Sequence, residues 1–259
     1  MILSCCTWAL SGSDDDVVAR LADADFRWID VRPYGFTSEA ARARVRALGL
    51  RVSCVAASFG LPDGAALDNP EADAIAQALT YTRQVLTCGA ELGATAAYLV
   101  PGKDGSQEAL DRYARSLIAA ADRASALGIT LCVEHFPGSA LPTAAATLAF
   151  LRTIGHPGLS LLLDIGHAQM SGEDPAAIIA DAGPCLGYVH LDDNDGRNDL
   201  HVALTDGVLT VETLRRTFAA LDGIGYAGAV SLELSPALPD PLDALTRSRT
   251  LVGALVSLA

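Results

Sequence analysis

Of the eight glutamates in the chain, only Glu134, in ITLCVEHFP, and Glu233, in AVSLELSP, stand within apolar runs. A carboxylate in such a run gives up its hydration at a cost of several kcal/mol unless it is paired or metal-bound. Asp164 closes a third apolar run, LSLLLDIGHA, and His190 a fourth, GYVHLDD. Three carboxylates and one imidazole make a mostly hard donor set, suited to Mn²⁺ or Mg²⁺, with Co²⁺ or Zn²⁺ as alternatives. Further polar groups surround the quartet. His167 follows Asp164 by three residues, and Asp199 and His201 form an Asp-x-His in DDNDGRNDLH. These could ligate another metal, orient the first set from behind, or hydrogen-bond a polyol.

Weaker candidates complete the inventory. Arg197 is suited to a carboxylate, phosphate or sugar oxygen. Trp8 either stacks on a sugar face or packs at a rim, and Lys103, in VPGKDGS, either binds an anion or is simply solvated. Asp192, Asp193, Asn194 and Asp195 read equally as a solvated acidic loop or as functional groups. His135 neighbours Glu134, so strand alternation turns it away from the quartet. His156, in IGHPG, precedes a strand and belongs to the opposite rim. No G-x-S-x-G elbow and no Walker motif is present.

The elements that must position these groups follow a rhythm: a helical stretch, a glycine, then an apolar run. It recurs at 47–56, 91–100, 126–134 and 223–234. Glycine supplies the left-handed cap, and an unbroken apolar run is the signature of a strand buried on both faces. Runs around Leu3–Cys6, Trp28–Val31, Leu159–Leu163 and Gly187–Leu191 bring the count to eight. Helical periodicity covers Glu71–Leu92, Leu110–Leu127 and Val211–Leu221. The spacing is about 32 residues per unit, the size of a βα repeat. A single-domain (β/α)8 TIM barrel over residues 1–259 accounts for the pattern. An open doubly wound sheet would carry a glycine-rich turn after its first strand, where this chain has TWALSGSDDD. In a barrel, Glu134, Asp164, His190 and Glu233 end strands five to eight on the catalytic face.

Composition narrows the partners. With 18 Lys+Arg against 31 Asp+Glu, the net charge of −13 argues against a nucleic-acid partner. Half the residues (51%) are apolar, yet no run has the roughly 18 apolar residues of a membrane span. The N-terminus lacks a basic lead-in and reads as a first strand. Six cysteines without paired spacing read as reduced, in a cytoplasmic protein.

VEHFPGS, LLLDIGHA, YVHLDDNDGRNDLH and GYAGAVSLEL together resemble the xylose isomerase-like barrel superfamily, the sugar phosphate isomerases and epimerases that also include the AP endonucleases. The likeness spans about residues 129–235. It implies a divalent metal held by Glu134, Asp164, His190 and Glu233, with the two glutamates as the acid/base pair. The implied reaction is isomerisation or epimerisation of a ketose, keto-sugar or related polyol through an enediolate, with His167 and Arg197 on substrate oxygens. A lyase or dehydratase working through the same enolate is the alternative. The endonuclease branch uses three zinc ions and histidines from the first half. This chain has none before His135, although residues matching another of that branch's sites, His167, Asp199 and His201, are present. A retired, sugar-binding barrel would show a damaged ligand set. Barrels of this kind often pair, so a homodimer is the expected assembly.

Overall fold

A computed structural model describes residues 1–256; the last three positions of the expected 1–259 domain lie outside the described residues. Eight strands alternate with helices along the chain. The strands are β1 (Ile2–Cys5), β2 (Trp28–Val31), β3 (Arg51–Ala56), β4 (Ala96–Leu99), β5 (Thr130–Glu134), β6 (Leu159–Asp164), β7 (Leu186–Leu191) and β8 (Ala229–Leu232). The helices are α1 (Asp14–Asp23), α2 (Glu39–Ala47), α3 (Ala72–Leu92), α4 (Gln107–Ala126), α5 (Ala144–Ile154), α6 (Ile165–Met170), α7 (Pro175–Ala182), α8 (Val211–Gly223) and α9 (Pro241–Leu255).

All strand pairs are parallel, in the order β1-β8-β7-β6-β5-β4-β3-β2. The two ends of that order meet at a parallel bridge between Cys6 and Asp30, so the sheet curls into a TIM barrel. Local chemistry sets the boundaries. Ser13, Ser38, Ser106, Thr143 and Thr210 cap helix N-termini by accepting an amide three residues on. Gly93 ends α3 at φ 81°, a left-handed conformation that costs glycine nothing. No helix among the described residues is long and apolar enough to cross a membrane.

Two apolar layers result. The larger lies between sheet and helices. A smaller one fills the barrel and includes Cys54, Ala56, Tyr98, Cys132, Leu162 and Tyr188. Because side chains alternate along a strand, the inner-layer positions fix what stands above them. Cys132 puts Glu134 inside, Leu162 does so for Asp164, Tyr188 for His190, and Ala229 for Ser231 and Glu233. The β2–β3 register shifts between Ile29 and Asp30, so that Ser53 has no partner residue across the pair. Such a bulge re-aims side chains, and here Ser53 Oγ lies 2.6 Å from the Asp30 carboxylate inside the barrel.

Candidate metal centre

Glu134, Asp164, His190 and Glu233 converge at the C-terminal mouth of the barrel, with one ligand atom from each within 4.8 Å of all the others. His190 Nδ1 lies 2.7 Å from Glu233 Oε2 and 3.3 Å from Glu134 Oε1. Asp164 also caps α6: its Oδ1 accepts the His167 amide at 2.8 Å, while the buried Oδ2 has no hydrogen-bond partner among the described residues. An orphaned buried carboxylate oxygen is costly, and a divalent cation among these four groups removes the cost. The residues present therefore fit a hard cation.

The charge balance points the same way. Burial opposes a charged imidazole, yet Glu233, Asp30 and Glu134 hold His190 well above its ordinary pKa. Burial raises Glu134. It also pushes Glu233 upward, but His190 outweighs it and brings Glu233 down to about 2. The mouth of the barrel attracts positive charge, and the His190 proton lies where a metal ion would replace it.

An outer cluster adjoins the quartet. His167 Nε2 and His201 Nε2 approach Asp199 Oδ1 at 3.3 and 3.0 Å. The other nitrogen of each ring faces a main-chain carbonyl, His167 Nδ1 at 3.1 Å from the oxygen of His135 and His201 Nδ1 at 3.0 Å from that of Glu233. A ring that donates Nδ1–H to a carbonyl presents the Nε2 lone pair forward, as metal-binding histidines do. Against the effect of burial, Asp164, Asp199 and Glu134 lift His167 to about 10, and Asp192 and Asp199 raise His201 further. His201 holds φ at 48°, a left-handed conformation uncommon outside glycine.

The loop after β7 is a buried scaffold where it passes under the site. Asp192, Asp193 and Asn194 are fully buried, which corrects the solvated-loop alternative for these three; Asp195 is exposed. Asp192 accepts the Gly166 amide at 3.0 Å and faces His201 Nδ1 at 3.2 Å. Burial, then the neighbouring Asp164, pushes Asp192 up to about 7. A Cβ on Gly166 would collide with that carboxylate. Asp193 accepts the amides of Asn194, Gly207 and Leu209, tying two distant loop segments together.

Of the other candidates, Trp8 joins the site, while Arg197, Lys103 and His156 lie apart from it. Trp8 donates its indole N–H to Glu233 Oε1 at 2.7 Å. Arg197 and Lys103 are exposed on their loops. His135 is buried with Nε2 near the main chain of Asp164, and burial lowers it to about 4. His156 pairs with Asp122 and takes the Gly158 amide in the turn before β6. Two residues escaped the sequence reading. Arg32 stacks over Phe59 and Trp8, at 4.8 and 5.4 Å from their centroids, beside the quartet that Trp8 touches through Glu233. Asp30 is wholly buried beneath His190, with Oδ2 3.7 Å from Nε2. Its signal was an acid inside the apolar strand Trp28–Val31, the same signal that singled out Glu134.

Comparison with known proteins agrees with this architecture. A ketose 3-epimerase of Arthrobacter globiformis is 28% identical over 218 residues, 78% of this chain and 69% of that protein. An inosose dehydratase of Klebsiella pneumoniae strain 342 is 30% identical over 164 residues, 56% of this chain and 54% of the relative. The D-allulose 3-epimerase of Methylomonas sp., solved with D-allulose, superposes with a TM-score of 0.85 at 18% identity, covering 99% of this chain and 97% of that one. The likeness of fold is thus matched in sequence, and residues 18–250 fit one family description almost end to end: the chain belongs to the xylose isomerase-like TIM barrel family.

Proposed function

We propose that the chain is a divalent-metal-dependent isomerase or epimerase acting on a ketose, keto-sugar or related polyol. One observation carries the reading: four ligand atoms from the ends of four successive strands lie within 4.8 Å of one another. A cation bound there would polarise a substrate carbonyl and acidify the adjacent C–H. Glu134 and Glu233 would exchange the proton, one removing it and the other returning it. The two carboxylates differ in setting: Glu134 is raised by burial, whereas Glu233 is held low by His190 and by the Trp8 indole N–H. Unlike neighbours of this kind suit an acid and a base facing one carbon. His167 and Arg197 are proposed to hold substrate oxygens, and Trp8 to form part of the sugar-facing wall.

The geometry of His167, Asp199 and His201 supports a second cation beside the first, because both Nε2 atoms converge on one carboxylate oxygen. The likeness to inosose dehydratases keeps elimination as the second reading, since both reactions begin with removal of a proton next to a carbonyl.

Proton NMR in D₂O, with Mn²⁺ or Mg²⁺ supplied and ketoses, inosose-like ketones and 3-keto glycosides as substrates, separates the two. Isomerisation or epimerisation returns a sugar that has lost no atoms other than one carbon-bound hydrogen exchanged for solvent deuterium, whereas release of water or a leaving group would establish the lyase. Glu134→Gln and Glu233→Gln should each lower turnover by at least about 100-fold, the low end of what general acid–base catalysis contributes. Full activity in either variant would remove that glutamate from the mechanism.

A further inference from the structure

Beneath the quartet, the barrel interior holds a second polar group, built around Asp30. Three hydroxyls surround a single oxygen of this carboxylate: Ser4 Oγ at 2.9 Å, Ser53 Oγ at 2.6 Å and Tyr188 OH at 2.6 Å from Oδ1. Each belongs to a different strand, and Ser53 is aimed there by the β2–β3 bulge. Oδ2 receives none of them. Its polar neighbours are Cys6 Sγ and His190 Nε2, each at 3.7 Å. Burial raises the Cys6 thiol well above its ordinary pKa, so this sulfur keeps its proton.

His190 shows the complementary arrangement. Its Nδ1 faces Glu134 and Glu233, while its buried Nε2 has no hydrogen-bond partner among the described residues. The ring is fixed edge-to-face between Tyr98 and Tyr188, with centroids 5.2 and 5.7 Å away. It cannot turn freely to exchange its two nitrogens, so once a cation displaces the Nδ1 proton the remaining proton must be held by whatever faces Nε2.

We propose that Asp30 is the positioning residue for His190: when a cation occupies the site, Asp30 Oδ2, which lies 3.7 Å from Nε2 without it, closes to accept the His190 Nε2–H and thereby presents the Nδ1 lone pair to the cation. This rests on the metal reading of the quartet. Metal-binding histidines ordinarily donate their second N–H to a carboxylate or carbonyl, which fixes the tautomer and strengthens the ligand. The hydroxyl cluster makes the arrangement one-directional. By saturating Oδ1, it holds the carboxylate rotation so that Oδ2 faces the ring.

The same cluster makes Asp30→Asn a tautomer switch. The hydroxyls keep the amide oxygen on their side and the amide NH₂ turns toward Nε2. Nε2 must then accept, and the ring proton moves to Nδ1, where it blocks ligation. Dissociation constants for Mn²⁺, measured by chelator competition on the full chain, should rise about 10- to 100-fold in Asp30→Asn. Nitrogen-15 spectra of the Mg²⁺-loaded protein should show Nε2–H for His190 in the wild type and Nδ1–H in the variant, a difference that loss of packing alone does not produce. Wild-type Mn²⁺ binding left within about threefold by Asp30→Asn would overturn the proposal alone. Failure of the wild type to bind the ion would overturn the metal reading and the proposal with it. If Asp30→Asn does not fold, the wild-type spectrum still decides: a Mg²⁺-loaded His190 carrying its proton on Nδ1 refutes the assignment, and one carrying it on Nε2 supports it.

Discussion

The two halves of the barrel share a backbone plan and differ in what stands at their strand ends. In the β5–β8 half the inner positions at the mouth are Glu134, Asp164, His190 and Glu233, three acids and an imidazole. In the β1–β4 half, Trp8, Phe59 and Arg32 stack on one another at the mouth, and the carboxylate of that half, Asp30, sits one layer lower. Parallel strands buried on both faces hold either arrangement, because the ladders and the outer helix-facing core are indifferent to what projects over the rim. The difference also divides the labour. One half concentrates negative charge suited to a cation, and the other supplies a wall and, beneath His190, a buried carboxylate.

The largest effect separating the halves is metal retention. His190→Ala should lower the metal carried through gel filtration by at least tenfold in affinity, on the order of one ligand's contribution, as read by elemental analysis. Val100→Ala, at the end of β4, should leave it unchanged. His201→Ala is predicted to shed the outer ion and keep the inner one, so the metal content of the three proteins tests both the contrast and the second cation. Equal metal content in all three would dissolve the distinction.

The fold was readable because its signals are local: a glycine between helix and apolar run at 47–56, 91–100, 126–134 and 223–234, and regular spacing of the runs. The quartet was readable because a charged residue inside such a run is conspicuous. Asp30 carries that same signal between Ile29 and Val31, yet its role depends on Ser4, Ser53 and Tyr188, which converge from three other strands. Burial of Asp193 likewise depends on amides 14 and 16 residues further on. Contacts of this kind arise from closure of the loop over the barrel and leave no periodic trace in the chain. Arg32 follows Asp30 by two residues, just past the end of β2, and continuing the strand's alternation places it once the position of Asp30 is known.

An intermediate effect is the pH dependence of metal binding, which should belong to the β5–β8 half alone. Without the ion, His190 and His167 lie above their ordinary pKa values, His167 at about 10, so at neutral pH they hold protons that a cation must expel. The sign follows. Lowering the pH favours the protonated form and weakens binding, by up to tenfold per pH unit for each proton displaced. Mn²⁺ affinity measured by chelator competition from pH 8 to pH 6 should fall, and His167→Asn should flatten the slope if it removes one of the displaced protons. Arg32→Lys should leave the slope intact. A slope identical in all three proteins would take His167 out of the ligand field.

The smallest effect probes the contact that joins the halves. Trp8, from the β1 side, donates its indole N–H to Glu233 Oε1 at 2.7 Å and helps hold that carboxylate low against burial. Trp8→Phe keeps an aromatic ring beside Phe59 and Arg32 but removes the donor. A hydrogen bond to a charged group contributes about 1.5–3 kcal/mol, and part of this is regained if water enters beside the smaller ring. The Glu233 pKa should rise, so its ionised form disappears at a higher pH and, with Mn²⁺ kept saturating at every pH, the acid limb of kcat/KM moves upward by about one unit, the equivalent of 1.36 kcal/mol. Activity on the alkaline plateau should fall less than tenfold, far less than in Glu233→Gln. An unmoved acid limb with a raised KM would reassign Trp8 to substrate contact alone, and the two halves would then cooperate only through the proposed substrate bound between them.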